Sequence, residues 1–513
     1  MTAAALNVLG AATSPPIEYE TLLPFLVLAG GAVLTLIVSM FPGRFVQRAL
    51  TPIVATSGLL ASLVLFAIQL NEPPELLLSG SLRIDDLAVV FSLLIITAAL
   101  VATVLAWRGS TVREAGSGEF YALLLSAVLG MTLLVASQNL VTLFLALELF
   151  SIPLYVLCGA DLRRNRSLES GVKYLIIGSL GSVTLLYGLA FVFGATGSTG
   201  YAEIGKAIAT GNLADDALLL VGVGLTLVGV AFKASIAPFH QWTPDVYEGA
   251  PTPITAFMSV ATKAATFGLL LRLTGEAFLP LYHDWAPLLA VLAAVTILVG
   301  NLGALGQESL KRMLAYSGVA QAGYLLIGVV VGTALGARAT VFYLLVYLLM
   351  NVGPFAVIIS RERAGLGDGL TGMRNLGREA PVMAWSMTIS MITLAGLPIT
   401  AGFVGKLFLI ESAIDGRYAW LAVVLVLGSA LSLAYYLRVV AAMWMRPVAK
   451  RTGRPGRVAA VAGAATEGGA GRFPELVAIA VLAALASIVI GVWPQPLLDL
   501  ATDAAEAFFS LSN

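Results

Sequence analysis

The chain has 513 residues, of which 59% are hydrophobic and 11% charged, with a formal net charge of zero and a mean hydropathy of +0.93. Soluble domains are about 25% charged, so a soluble fold is excluded, and a neutral chain offers no footprint for nucleic acid. One cysteine, Cys158, excludes an internal disulfide or an iron–sulfur cluster held by this chain alone, and two histidines, His240 and His283, are too few for a row of haems.

Neither GxGxxG nor GxxxxGK[ST] occurs. If the chain serves a redox enzyme, the cofactors are expected on other chains. The opening MTAAALNVLGAATSPP lacks a basic n-region and is not read as a cleaved signal.

Apolar windows of about 20 residues recur along the chain. They predict an all-α polytopic membrane protein of fourteen spans: 20–41, 50–70, 84–107, 119–137, 139–159, 168–195, 216–247, 251–274, 286–306, 310–332, 337–361, 381–415, 418–446 and 473–495. Loop charge supports the count. Alternate loops carry Arg44 and Arg48; Arg108 and Arg113; Arg163, Arg164 and Arg166; Lys311 and Arg312; Arg361, Arg363, Arg374 and Arg378; and six cations from Arg446 to Arg472. The opposite loops hold only Arg83, Lys206, Arg338 and Arg417, with acids such as Glu72, Asp215 and Asp284. The positive-inside rule puts the first set in the cytoplasm and both termini outside. Residues 449–472, rich in Gly and Ala and basic, read as a flexible cytoplasmic loop. The tail places Leu497, Leu500, Ala504, Phe508 and Leu511 on one helical face, as a short interfacial helix does.

Spans seven and twelve are longer than the hydrocarbon needs, and each contains a proline. Pro238 and Pro398 lack an N–H and clash with the carbonyl four residues back, so non-helical links are expected near 235–243 and 396–400. In a bilayer such openings are tolerated only where protein or a water-filled cavity serves the freed groups. Five spans separate the breaks, and a five-helix unit ends on the side opposite its start. The parity predicts two inverted repeats, residues 119–274 and 275–446, after three leading spans in 1–118 and before a last segment, 447–513.

Four charges project to mid-depth: Glu148 in span five, Lys233 in span seven, Lys263 in span eight and Lys406 in span twelve. Each lysine there costs about 2.5–3.5 kcal/mol on insertion scales, and such residues are functional by default. Burial disfavours a charged amine and a carboxylate nearby favours it, so a lysine between the two can load and release a proton. Glu148 has no partner within a turn and is expected to face Lys233. Lys173, nearer a span end, and His240, seven residues after Lys233, are further relay candidates. Arg272 and Arg438 are expected to snorkel, Cys158 to act as a small buried hydrophobe, and the aromatic residues to pack or face lipid.

The run PFHQWTPDVYEGAPTPITAFMSVATKAATFGLLLR resembles the signature of the antiporter-like membrane subunits of respiratory complex I, the proton-translocating NADH:quinone oxidoreductase. LFLALELFSIPLYVL, ESGVKYLIIGSLGSVTLLYGLAFVFGATGS, NLGALGQESLKRMLAYSGVAQAGYLLIG and LAGLPITAGFVGKLFLIESAI are similar to further motifs, in the family's order. Residues 119–446 are covered closely. Of the family's L, M and N types, N is the most similar: it carries DVYEGAPTP after the broken helix, lysine at Lys406, and no long lateral helix after span fourteen. The resemblance implies proton transfer through Glu148, Lys233, Lys263 and Lys406, with Lys173 carried at less weight. It implies a bacterial cell membrane, other membrane subunits as partners, and FMN, iron–sulfur clusters and quinone on partner subunits rather than here. A multisubunit Na+/H+ antiporter, or a related membrane hydrogenase or F420H2 dehydrogenase, is the alternative setting.

Overall fold

Spans seven and twelve are each a pair of helices, whereas Pro24, Pro153, Pro287 and Pro354 lie within continuous ones. In the computed structural model, which describes residues 18–445 and 473–510, span seven is Ala217–Ala234 followed by Trp242–Gly249, and span twelve is Pro381–Ala395 followed by Ala401–Asp415. The links, 235–241 and 396–400, contain Pro238 and Pro398 as expected. Each first half stops in the same turn. Ile236 N–H donates to the Ala231 carbonyl and Ser235 N–H to Phe232; Leu397 N–H donates to Ile392 and Gly396 N–H to Thr393. This is the Schellman pattern around a left-handed residue, with φ +63° at Ser235 and +79° at Gly396.

The other spans are Tyr19–Ser39, Val46–Ile68, Asp86–Ala106, Ser117–Ala136, Leu140–Cys158, Asn165–Thr196, Thr252–Ala277, Leu279–Leu305, Leu310–Val331, Ala334–Arg363, Ala419–Trp444 and Pro474–Val492. Each half of span twelve has 15 residues. That is about 22 Å at 1.5 Å per residue, short of a hydrocarbon core about 30 Å thick. Spans three, five and seven start at Asp85, Asn139 and Asp216, whose side chains accept from the N–H three residues on. The basic loop 449–472 and Leu511 lie outside the described residues.

Span four packs on five as nine packs on ten, and six packs on seven as eleven packs on both halves of twelve. Small residues allow close approach: a Cβ on Gly188 of span six would overlap the Thr226 amide of span seven. Spans eight, ten and eleven form the core, with span eight buried along its whole length, whereas spans one, two, six and fourteen are the most exposed. Cys158 is buried as expected, its thiol 3.4 Å from the Met258 sulfur.

Of the two arginines expected to snorkel, Arg272 does not. Arg272 is fully buried. Its guanidinium grips Asp85 through bonds of 2.6 and 3.1 Å, and its Nε donates to the Val135 carbonyl. Arg83 pairs with Asp85 at 2.9 Å and also with Glu276. Gln138, oriented to suit its neighbours, lies between Glu276 and both guanidiniums, and the Phe508 ring covers both at 5.9 Å. Phe508 belongs to the tail helix Gln495–Ser510. That helix packs on spans three and eleven, burying Ala501, Ala504, Ala505 and Phe508, so the face expected to be interfacial is turned onto the protein. Arg438 serves the end of span nine by donating to the Leu305 and Gln307 carbonyls. The physical reason for Arg272 is that a guanidinium has five donors to satisfy, and the fold brings it fixed acceptors in the interior.

Asp85→Asn keeps the shape but removes the counter-charge of Arg272. Breaking a buried pair from one side costs about 3–5 kcal/mol. The purified variant should show a clearly lowered melting temperature or accumulate poorly. Stability equal to the parent would mean that Glu276, 3.7 Å from Arg272, suffices.

Candidate functional site

Lys233 lies in the last turn of the first half of span seven. Its side chain leaves for span five, where Nζ donates to Ser151 Oγ at 2.8 Å and to the Tyr155 hydroxyl at 3.2 Å. The rings of Phe150, Tyr155 and Tyr174 surround the amine at 5.2–5.5 Å, a cation–π setting. Glu148, Ser151 and Tyr155 are three and four residues apart and so share one helix face. Glu148 is therefore on the stripe that faces Lys233. It makes no direct ion pair among the described residues, and its Oε1 is buried without a hydrogen-bond partner.

An aromatic row leads on from Lys233. Tyr174 stacks on Trp242 at 4.7 Å, Trp242 meets Tyr247 at 6.2 Å, and Lys263 Nζ lies 5.9 Å from the Tyr247 ring. Lys263 is completely buried, and its Nζ has no hydrogen-bond partner among the described residues; the same holds for the hydroxyls of Tyr247 and Tyr347. A Cβ on Gly318 of span ten would sit 3.3 Å from Lys263 Nζ and 3.2 Å from the Tyr347 hydroxyl, so these two polar groups border one small space.

Between Lys263 and Lys406 lies a cluster of uncharged polar groups on spans nine, ten, eleven and thirteen. Ser317 and Gln321, one turn apart, meet Tyr436 and Tyr343 respectively. Tyr436 lies against Tyr435 with centroids 4.4 Å apart. Tyr435 donates to Asn301 Oδ1 at 3.0 Å, and Asn301 Nδ2 to the Tyr324 hydroxyl at 3.1 Å. Lys406 Nζ lies 5.1 Å from the Tyr324 ring and donates to the Leu394 and Ala395 carbonyls at 3.2 and 2.9 Å.

The structure thus brings Lys233, Lys263 and Lys406 into one buried band, with Glu148 beside its first member. Lys173 stands apart. It pairs with Glu169 at 2.7 Å and Asp245 at 3.5 Å in an open cleft of about 240 Å³, lined also by Arg166, Glu248 and Arg312. His240 is in the link, so the regular spacing that would put it on the Lys233 face does not exist. Its ring lies 6.3 Å from Tyr316, and its Nδ1 has no hydrogen-bond partner among the described residues. The tyrosines at 324, 343, 347, 435 and 436, expected to be packing or lipid surface, are packed in the interior, and the hydroxyls of all but Tyr347 also bond to polar side chains there. The sequence signal was present: a Tyr–Tyr pair deep in span thirteen, and Ser317 and Gln321 on one face of span ten.

A helical membrane protein with two interrupted helices and a charged band through its core is an ion-translocating type of architecture. The model of the family "NADH:quinone oxidoreductase/Mrp antiporter, TM" matches residues 137–432. A subunit N of NADH-quinone oxidoreductase from Trichlorobacter lovleyi is 45% identical over 72% of this chain and 76% of its own. Another, from a Parafrankia species, is 39% identical over 97% of each. Among solved structures, a chain of respiratory complex I from Thermus thermophilus matches with a TM-score of 0.75 and 33% identity, covering 93% of this chain and 99% of that one. The chain belongs to the antiporter-like membrane subunits of NADH:quinone oxidoreductase, and within them to the N type.

Ser151→Ala removes the nearer oxygen from Lys233. A hydrogen bond to a charged group contributes about 1.5–3 kcal/mol, so thermal stability and proton transfer should both fall. Tyr155→Phe should do less, since its contact is longer. Unchanged melting and pumping in the double variant would show that Lys233 takes its partner elsewhere.

Proposed function

We infer that this chain moves protons across a bacterial cell membrane as an antiporter-like subunit of a NADH:quinone oxidoreductase, beside other membrane subunits. FMN, iron–sulfur clusters and quinone belong, on this reading, to partner subunits, and both termini face outside. The observation that carries the reading is the buried band itself: three lysines on spans seven, eight and twelve, joined through the most buried helices by tyrosines, a serine and two amides. Intramembrane cations with no counter-ion in contact are expensive and mark ion pathways.

In this reading Glu148 and Lys233 form the charged pair at one end, Lys263 is the middle station, and Lys406 is the far one. The repeated packing and the matching Schellman turns support two inverted units, 119–274 and 275–446. The lysines do not hold equivalent positions in sequence, because Lys233 precedes its break and Lys406 follows it. They differ in electrostatics too: the Lys406 ammonium lies on the C-terminal end of a half-helix, where the macrodipole presents roughly half a negative charge, whereas that of Lys233 rests on hydroxyls of span five.

Purified with its natural partners, the chain should bring flavin- and cluster-carrying subunits; small antiporter subunits instead would place it among the Na+/H+ antiporters. In that complex, reconstituted in vesicles, Lys406→Met should abolish proton transfer through this subunit. Lys406→Arg keeps the charge but cannot release a proton at working pH, and should behave as Met does. Full pumping by the Arg variant would make Lys406 a fixed charge. Glu148→Gln should reduce pumping far more than assembly, as read by protons moved per NADH oxidised.

A further inference from the structure

The first half of span twelve ends on four carbonyls, those of Ile392, Thr393, Leu394 and Ala395. A helix end inside a membrane must find donors for all four. The N–H groups of Leu397 and Gly396 serve Ile392 and Thr393. Lys406 Nζ serves Leu394 and Ala395. Lys406 belongs to the second half-helix, so its side chain runs back across the break. It runs directly over Gly396: a Cβ there would lie 2.7 Å from Lys406 Cδ, 3.2 Å from Cε and 3.0 Å from Nζ.

We propose that Gly396 is the positioning residue of Lys406, its missing side chain leaving the groove in which the lysine lies with its ammonium on the helix end. The proposal rests on the reading of Lys406 as a proton carrier and deepens it. Gly396 also has φ +79°, and glycine is the usual residue for such a turn. The turn alone does not demand glycine here. The matching turn in span seven is made by Ser235 at φ +63°, and there the lysine precedes the break and leaves for span five. Glycine stands where a lysine must cross, and a serine stands where none does.

Gly396→Ser transfers the residue that makes the turn in span seven, and Gly396→Asn introduces a residue that tolerates the left-handed region. Both keep the turn and fill the groove. In the native complex reconstituted in vesicles, each should lower protons moved per NADH oxidised to the level of Lys406→Met, while quinone reduction without a proton gradient persists. Added to Lys406→Met, Gly396→Ser should make no further difference, the non-additivity of residues that act as one. Parental pumping by both Gly396 variants, with Lys406→Met defective, overturns this inference alone. Parental pumping by Lys406→Met overturns the reading beneath it. For a Gly396 variant that fails to assemble, Lys406→Ala in the same chain is the control: restored assembly supports the clash, and continued failure overturns it.

Discussion

A carbonyl inside a bilayer has no water to turn to, and each one left unserved costs several kcal/mol. Interrupting a membrane helix is therefore possible only where donors are already in place. At the break in span seven the Trp242 Nε1 donates to the Phe232 carbonyl at 3.0 Å, and Thr296 of span nine serves the opened link by accepting from the Ala237 N–H at 3.0 Å. Span twelve meets the requirement with the lysine proposed to carry the proton. The first break is held by groups whose bonding does not change with charge. The second is held by one whose bonding does, and in this respect the two halves of the molecule are not copies.

Element number, order and break positions were legible because each depends on a local rule. A proline cannot donate, a span needs about 20 apolar residues, and an odd or even count shifts every cation to the other side. The lysines were legible because a charge at mid-span has few bland explanations. Arg272 was misread for the complementary reason. At a span end the default is to reach for the interface, and its partner Asp85 is 187 residues away, beyond any local pattern. The tyrosines were misread because a hydroxyl on a large ring looks apolar in a hydropathy window. Only the packing of spans nine, ten, eleven and thirteen shows that four of them share one polar layer.

The burial of span eight follows from the same packing. It contacts spans three, four, seven, ten and eleven, so Lys263 has protein on every side. The groups nearest its amine are the Tyr247 ring and the Gly318–Tyr347 space, none of them charged. A cation there is held by dipoles and ring faces rather than by a carboxylate, and such interactions are individually weak. Lys233, by contrast, has two hydroxyls in contact and Glu148 on the same face. The two lysines are thus held differently, the first with fixed oxygen partners and the second with none among the described residues.

Asn301 gives the polar layer a direction. Its Oδ1 accepts from Tyr435 and its Nδ2 donates to Tyr324, and an amide holds donor and acceptor on separate atoms. A hydroxyl can accept one proton and hand on another; a carboxamide does so only by becoming a different tautomer. The bonded string from Tyr435 to Tyr324 therefore conveys polarisation but no protons. Any conducting line must go around Asn301, while the amide keeps the two hydroxyls pointing one way. Within this string the amide behaves as an insulator: it passes polarity between the two hydroxyls but not a proton.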